Sequence, residues 1–392
     1  MLDRADVVIV GGGVMGASAA YWLTRLAPGL AVLVVERDPS HARAATALSV
    51  ASIRQQFSTG VNVAISAFGI GFIRDFQAAL GHDVGVPSLG LRENGYLFLG
   101  HAPEAPQVMA DHAALQRRFG AATEVWTPAQ VQARFPWLQV GDLTAASFGP
   151  RDEGWFDNMG LLAGFRTAAK AQGAVFARGE VTGLRLAGGR VSGVDLGAGE
   201  VVACGAVINA AGTRAATIAR MAGLDVPVEP RKRTVFVIDA PNARHPDAPL
   251  LVDAGFYLRP EQTHWITATV PKDDGPCDVN DFDPDLDLFE EVIWPQLYAR
   301  APGFDAVKVV RHWVGHYDYN TLDQNALLGP HPEVPNLHFM TGFSGHGLQQ
   351  SPAVGRGIAE HLLHGAWQSL DLSDLSVARV LTDAAFAEAA VV

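Results

Sequence analysis

The residues with the clearest chemical meaning are glycines that directly follow a run of four β-branched residues. Residues 7–10 predict a buried strand, and Gly11, Gly12, Gly13 and Gly16 predict the turn that leads from it into a helix. Gly11 permits a tight turn, Gly13 lets a diphosphate approach the backbone, and Gly16 lets the helix pack on the strand. The first unpaired amides of that helix would then point at the phosphates.

A second buried strand, residues 31–35, ends in Glu36, which lies twenty residues after Gly16. At that spacing a carboxylate accepts hydrogen bonds from the ribose hydroxyls of a dinucleotide. The glycine motif alone fits an ordinary turn without a ligand, and it fits a nicotinamide dinucleotide as well as a flavin one. The strand, the helix and the acidic partner together favour dinucleotide binding.

Arg54 lies in segment 52–57, where polar and apolar residues surround it. Composition alone favours a solvated loop arginine at this position. Tyr257 and Arg259 lie on a predicted strand of a second sheet, where polar surface at a sheet edge is the ordinary interpretation.

The elements that must position these residues alternate along the chain between nucleotide-type segments and strand-rich segments without a nucleotide signature. We predict an α/β fold with two interleaved domains. Residues 1–81, 150–222 and 324–392 form a Rossmann-like cofactor-binding domain, and residues 82–149 and 223–323 form a mostly antiparallel β-sheet domain for the substrate. The last cofactor segment contains a glycine-rich turn and a helix over 352–363, which Ser351 caps, Pro352 starts and Gly365 ends.

Composition limits the partners. The 392 residues carry a net charge of −12, so we expect no nucleic acid and no anionic membrane surface as a partner. Cys204 and Cys277 are the only cysteines, which excludes a disulfide framework and fits a reducing cytoplasm. We expect no signal peptide, no membrane span and no metal, because the pair His361 and His364 lacks a third ligand. The acidic run 273–291 is interpreted as solvated surface, with a docking site for a basic partner as the alternative.

Four motifs together resemble the D-amino-acid-oxidase-like FAD flavoproteins: the glycine turn with its acidic partner, segment 52–57, segment 208–212 and segment 342–347. Within that family the chain is most similar to the sarcosine oxidase and glycine oxidase branch, and the resemblance covers nearly the whole chain. It implies FAD in an extended form. The residues it implies are Gly11, Gly13, Val14, Met15 and Gly16 at the diphosphate, Glu36 at the ribose, Val181 at the adenine, and Ala211, Gly212, Gly345, Gly347, Leu348 and Gln349 around the flavin.

The same resemblance implies that Arg54 binds the substrate carboxylate. We expect Tyr257 and Arg259 to add a further anchor, and His316, Tyr317 and Tyr319 to roof the pocket. The N-terminal end of the predicted 352–363 helix would lie near the pyrimidine edge of the flavin, where negative charge accumulates on reduction.

Three positions depart from the sarcosine oxidases. Gln349 stands where they have a lysine, so a second cation for the carboxylate is missing there. An ungapped alignment puts Trp265 where they have the lysine that promotes reaction with oxygen, so oxygen is expected to be a poor acceptor. No cysteine matches the one that links flavin covalently, so noncovalent FAD is expected, with attachment through His41 as the alternative.

We therefore predict oxidation of the C–N bond in a secondary or N-methylated amino acid, of the sarcosine, glycine or proline-like class. Hydride would pass to flavin N5, the resulting imine would hydrolyse, and oxygen or another redox protein would accept the electrons. An FAD-dependent 2-hydroxy acid dehydrogenase is one alternative. A flavoprotein subunit or assembly factor of a larger dehydrogenase complex is the other. The Arg-Gln-Gln-Phe-Ser sequence also resembles a mitochondrial flavoprotein that assists assembly of respiratory complex I, and subunits of heteromeric amine or opine dehydrogenases.

Overall fold

The computed structural model of the chain describes residues 2–81 and 84–389. Its strands are β1 Arg4–Val10, β2 Val32–Glu36, β3 Ser52–Ile53, β4 Tyr96–Gly100, β5 Glu124–Trp126, β6 Ala145–Gly149, β7 Gly154–Trp155, β8 Val175–Arg178, β9 Val181–Ala187, β10 Arg190–Leu196, β11 Val201–Asn209, β12 Val228–Asp239, β13 Leu250–Asp253, β14 Phe256–Glu261, β15 His264–Thr269, β16 Lys308–Asn320, β17 Leu327–His331 and β18 Val334–Thr341. Its helices are α1 Val14–Leu26, α2 Ala45–Leu48, α3 Gly60–Arg74, α4 Phe76–Leu80, α5 Ala105–Arg118, α6 Pro128–Arg134, α7 Asn158–Ala171, α8 Ala215–Arg220, α9 Trp294–Arg300 and α10 Gly347–His364.

The first sheet is built around β1, whose β-branched residues are buried on both faces. β1 pairs in parallel with β2 and with β11, so that Val7 lies opposite Val32 and Ala206. The strand order is β17-β18-β11-β1-β2-β8, parallel except for the edge strand β17, and the antiparallel meander of β9 and β10 joins it through β11. Ligands of open parallel sheets bind at the carboxyl edge, which is where the glycine turn after β1 lies.

Helices α1, α3, α7 and α10 contribute to the core on one face of this sheet. Rings of Tyr21, Trp22, Phe72 and Phe165 pack there with centroids 5.0 to 6.3 Å apart. Each such aromatic pair stabilises the fold by about 0.5–1.5 kcal/mol beyond the area it buries. This packing fixes α1 relative to the sheet, and the start of α1 forms part of the site described below.

Helix α10 begins at Gly347, so the prediction that it starts at Pro352 was wrong. Proline lacks the N–H that would bond the carbonyl oxygen of Leu348 in a continuous helix. The Ser351 hydroxyl donates to that oxygen at 2.9 Å instead, so the helix continues through the proline. Gly365, with a φ of 74°, follows the last helical residue as predicted.

The second sheet has the order β16-β12-β15-β14-β13-β4-β6-β5. Its strands are antiparallel except for the parallel pair β13 and β4, which confirms a mostly antiparallel sheet. Successive residues of a strand face opposite sides. Tyr257 and Ile266 therefore belong to the cluster on one face, and Leu258 and Trp265 to the larger core on the other.

The two sheets use different parts of the chain. Strands of the first lie within residues 4–36, 175–209 and 327–341, and strands of the second lie within 96–149 and 228–320. The predicted α/β fold is confirmed, whereas the domain boundaries stay a prediction, and residues 1, 82, 83 and 390–392 lie outside the described residues. Within the described ranges, no helix is long and apolar enough to cross a bilayer. The same ranges hold no group of three or more His, Cys, Asp or Glu residues able to bind a metal.

Candidate active site

A cavity of about 330 Å³ receives residues from both sheets. The first sheet contributes the glycine turn after β1 and the loop after β11, and the second contributes residues of β12, β13, β14 and β16. This volume lies in the range of small-molecule and cofactor sites. The predicted residues that line it are Arg54, Tyr257, His316, Tyr317, Gln349, Gly11, Gly13, Val14, Met15, Glu36, Val181, Ala211, Gly212, Gly345, Gly347 and Leu348.

The glycine turn has the geometry that a diphosphate cradle needs. Gly11 has a φ of 101°, and a Cβ there would lie 2.4 Å from the carbonyl oxygen of Ala210. A Cβ at Gly16 would lie 1.9 Å from the carbonyl oxygen of Gly11, so Gly16 closes the turn beneath the cavity and does not line it. Gly13 does line the cavity, so the N-terminal end of α1 lies beside it.

Thr46 lies beside this turn and was missed by the sequence analysis. Its Oγ1 accepts a hydrogen bond from the Val14 amide at 3.1 Å and leaves the hydroxyl proton available to a phosphate oxygen. The side chain lines the cavity and is 7% exposed. A threonine in a small-residue segment carries no distinct sequence signal, so this contact could be found only from the fold.

Glu36 is held at the end of β2 by two backbone amides. Oε2 accepts from Gly12 at 2.8 Å and Oε1 accepts from Asp38 at 2.7 Å. A carboxylate has about four lone-pair sites, so two remain for the hydroxyls of a ribose. Val181, at the start of β9, lines the same cavity. These residues fit the adenosine half of an extended dinucleotide.

The turn before α10 provides the other half of the cofactor site. Gly345 has a φ of 101°, and a Cβ there would lie 2.7 Å from the Tyr317 ring. Gly347, Leu348 and Gln349 form the first turn of α10 and line the cavity. The positive end of the helix dipole therefore faces the cavity, where it stabilises negative charge. A glycine cradle, a ribose carboxylate and this helix terminus fit FAD.

Arg54 is buried, with 5% of its surface exposed, and it lines the cavity. Its guanidinium carbon lies 4.5 Å from the ring centre of Phe57 and 5.7 Å from those of Tyr96 and Phe98. The Arg54 amide donates to Gln349 Oε1 at 2.7 Å. Gln349 thus holds the backbone that carries the arginine, although it supplies no second cation.

A buried network behind Arg54 fixes the conformation of segment 54–56. Glu153 accepts from the Gln55 amide at 2.7 Å and from Gln56 Nε2 at 2.8 Å. The Gln56 side chain also accepts from Ser147 Oγ at 2.6 Å. Burial raises the pKa of Glu153 to about 7, although the hydrogen bonds and Arg54 act in the opposite direction. Near neutral pH this carboxyl therefore neutralises only part of the arginine charge.

Phenols and a neutral histidine form much of the remaining wall. Burial raises the pKa of Tyr96 and raises that of Tyr257 well above its ordinary value, so both side chains stay protonated. Burial, together with the charge of Arg54, lowers the pKa of His346 to about 3. His316 also lines the cavity, with Nε2 2.6 Å from the carbonyl oxygen of Asp281, and burial lowers its pKa. These groups add polarity without adding charge.

Besides Gly16, the predicted residues Arg259, Trp265 and Tyr319 lie outside the cavity. The ring centre of Tyr319 lies 3.7 Å from the guanidinium carbon of Arg231. Arg259 donates to the carbonyl oxygen of Val50 at 3.0 Å and lies 5.2 Å from the ring centre of Trp155, so it braces the neighbouring loop. Trp265 belongs to the opposite face of the second sheet, where Nε1 donates to the carbonyl oxygen of Ala243 at 2.9 Å. The ungapped alignment placed Trp265 on the wrong face of its strand, so it carries no argument about oxygen as the acceptor.

Arg233 on β12 is a second cation in the cavity wall and was also missed. Asp274 binds it with both carboxylate oxygens, at 2.6 and 2.9 Å, and Asp281 pairs with Lys232 at 2.8 Å. The acidic run 273–291 is therefore not simply solvated, because part of it covers the basic residues of β12. Residues 231–233 form a basic run in an acidic chain, but no local pattern identifies Asp274 as the partner of Arg233.

Comparison with known proteins agrees with this geometry. Residues 6–361 match the DAO family, described as FAD dependent oxidoreductase. FAD-dependent oxidoreductase domain-containing protein 1 of Bos taurus is 41% identical, over 96% of this chain and 85% of that protein. Mitochondrial dimethylglycine dehydrogenase of Mus musculus is 27% identical, over 93% of this chain and 43% of that protein. The crystal structure of L-proline dehydrogenase from P.horikoshii superposes with a TM-score of 0.85 at 25% identity, covering 97% of this chain and 99% of that chain. This chain belongs to the DAO family and is an FAD-dependent oxidoreductase.

Proposed function

We propose that this protein oxidises the C–N bond of a secondary or N-methylated amino acid. The observation that carries the proposal is the buried Arg54 guanidinium in the cavity wall, next to the first turn of α10. Dimethylglycine dehydrogenase and L-proline dehydrogenase, to which the chain is similar, are both named for amino acids with a substituted nitrogen. Their names support this substrate class.

Arg54 would bind and orient the substrate. A guanidinium binds a carboxylate through two parallel hydrogen bonds, which fixes the direction of the attached carbon as well as its position. The Gln349 side chain and the Glu153 network hold the Arg54 backbone, so the cation is preorganised before the substrate arrives. Preorganisation reduces the entropy lost on binding.

The electrostatics of the cavity favour a neutral amine. Arg54 supplies positive charge, the charge of Arg233 is balanced by Asp274, and Tyr96, Tyr257 and His346 are neutral. A positive environment disfavours the protonated form of a nearby amine. Only the neutral amine has the lone pair that stabilises the positive carbon formed as the adjacent C–H bond is oxidised.

FAD, when bound, supplies the two-electron oxidant, and the residues of this chain supply binding and electrostatics. The first-turn amides of α10 stabilise negative charge at the flavin end of the cavity. His41 has Glu36 as an electrostatic neighbour, which supports its position at the adenosine half of the site and favours noncovalent FAD. Association with a partner subunit stays a prediction.

The test is anaerobic mixing of the purified holoprotein with a panel of compounds while the flavin absorbance is followed. The panel contains N-methyl amino acids, cyclic secondary amino acids, primary amino acids and 2-hydroxy acids. We expect the N-substituted amino acids to bleach the flavin band and the 2-hydroxy acids to leave it unchanged. Bleaching by 2-hydroxy acids alone, or by no compound, would contradict the proposal. Recovery of the colour in air would identify an oxidase.

A further inference from the structure

Arg233 lies in the cavity wall but has no part in the function proposed above. It is 5% exposed, and its guanidinium carbon lies 4.9 Å from the ring centre of Tyr317. Burying a cation costs free energy unless hydrogen bonds satisfy its donors. The partners of Arg233 therefore show whether all of its hydrogen-bond donors are satisfied within the protein.

The hydrogen bonds of Arg233 use Nη1 and Nη2 but not Nε. Asp274 binds Nη1 at 2.6 Å and Nη2 at 2.9 Å, and the carbonyl oxygen of Lys232 accepts from Nη1 at 2.9 Å. The Nε atom is buried and has no hydrogen-bond partner among the described residues. A guanidinium has five N–H donors. The remaining ones, Nε–H and the second proton of Nη2, lie on the same side edge, which matches the two oxygens of a carboxylate.

The two arginines lie at the same face of the second sheet. Arg54 packs on Phe57 and Tyr96, and Arg233 packs on Tyr317. Tyr96 belongs to the cluster on that face, and so does Val235, which lies two residues after Arg233 on β12. A ligand that reaches both cations needs an anionic group at each end.

We propose, on the basis of the proposed function, that the preferred substrate is an N-substituted amino acid with a second carboxylate. Its α-carboxylate binds Arg54, and the second carboxylate binds the side edge of Arg233. Asp274 is a positioning residue, because it binds the end of the Arg233 guanidinium and leaves the Nε side of the group without a partner among the described residues. Gln349 supplies no second cation at the position where the sarcosine oxidases have a lysine. In this chain the second cation is Arg233 on β12, and it binds a different carboxylate of the substrate.

The first experiment measures binding without turnover. Succinate, glutarate and adipate are titrated into the holoprotein, each beside its monoamide, and the shift of the flavin absorption spectrum is followed. We expect at least one dicarboxylate to bind about ten-fold more tightly than its monoamide, since a hydrogen-bonded charge is worth roughly that factor. In Arg233→Met the two affinities should become equal, and in Arg233→Lys the preference should be intermediate.

Arg231→Met is the matched control. Arg231 also pairs with Asp274, at 3.3 Å, but it does not line the cavity. The dicarboxylate preference should persist in this variant. Equal binding of dicarboxylates and monoamides by the unaltered protein, or a preference that survives in Arg233→Met, would overturn the inference. If Arg233→Met changed the flavin reduction potential but not the preference for dicarboxylates, Arg233 would act on the cofactor, and the inference would also be overturned.

The second experiment separates this inference from the proposed function. N-methylaspartate and N-methylglutamate are compared with N-methylalanine as reductants of the flavin under anaerobic conditions. Reduction by all three with equal half-saturation would leave the proposed function intact and refute the inference. An Arg233-dependent dicarboxylate preference without reduction by any amine would support the dicarboxylate site and refute the proposed function.

Discussion

Replacement of Arg54 by methionine is the most informative single change in the substrate site. The methionine side chain is similar in length and packs well against aromatic rings, so it still fills the space between Phe57, Tyr96 and Phe98. The change removes the cation. The backbone amide of residue 54 can still donate to Gln349 Oε1, because that bond does not involve the side chain.

The expected loss follows from the geometry of the contact. A hydrogen bond to a charged group stabilises a complex by about 1.5–3 kcal/mol, which corresponds to a roughly 10- to 150-fold change in affinity. Arg54 is buried, so solvent screens its charge little, and the upper part of this range applies. The limiting rate of flavin reduction should change less than the half-saturation, although looser orientation of the substrate will lower it.

The assay is anaerobic flavin reduction at increasing substrate concentration. It uses an N-methyl amino acid and a secondary amine of similar size without a carboxylate. Only the carboxylated substrate should show the increased half-saturation in Arg54→Met. Arg259→Met is the control, because Arg259 is equally buried but lies outside the cavity. Equal losses for both substrates, or an unchanged half-saturation for the amino acid, would refute the role of Arg54.

Three further changes test the cofactor site and the buried network. Gly11→Ala should yield protein without FAD, because its Cβ would lie 2.4 Å from a backbone carbonyl oxygen; Gly29→Ala, with a φ of 91° but no atom within 4 Å, should keep the flavin colour. Thr46→Val removes the acceptor of the Val14 amide and should weaken FAD binding roughly ten-fold in a titration of apoprotein; unchanged affinity would exclude Thr46 from the phosphate site. The pKa of Glu153 is about 7 in the folded protein and 4.5 in the unfolded chain, so the folded protein holds this proton more tightly. The free energy of unfolding therefore falls by about 3 kcal/mol as the pH rises from 4.5 to 7. The free energy of unfolding in urea should fall less between pH 5 and pH 8 in Glu153→Gln than in the unaltered protein. An equal fall in both proteins would contradict the raised pKa of Glu153.

The sequence predicted the features that depend on neighbouring residues. The glycine turn, β1, β2 and the position of Glu36 follow from local pattern and spacing, and the structure contains them. Arg54 was ambiguous from composition, and only the family resemblance indicated a substrate-binding role for it. The predicted start of α10 was wrong. A proline usually begins a helix because it lacks an N–H, but here the Ser351 hydroxyl replaces the missing hydrogen bond.

The other errors concern contacts between residues that are distant in the chain. A strand has a side-chain period of two, so an alignment error of one residue moves Trp265 to the opposite face of the sheet. Arg233 joins the site through Asp274, 41 residues later, and no local pattern shows that pairing. Both errors affect the substrate half of the site, where strands of the second sheet meet segments from elsewhere in the chain.

The most direct test of the central claim is the stoichiometry of a single anaerobic turnover. The holoprotein is titrated with an N-methyl amino acid while flavin absorbance, the demethylated amine and the carbonyl product are measured. We expect one carbonyl compound and one demethylated amine for each flavin reduced, because oxidation of the N-methyl carbon gives an imine that water hydrolyses. Flavin reduction without a carbonyl product, or reduction by 2-hydroxy acids and not by amines, would contradict it.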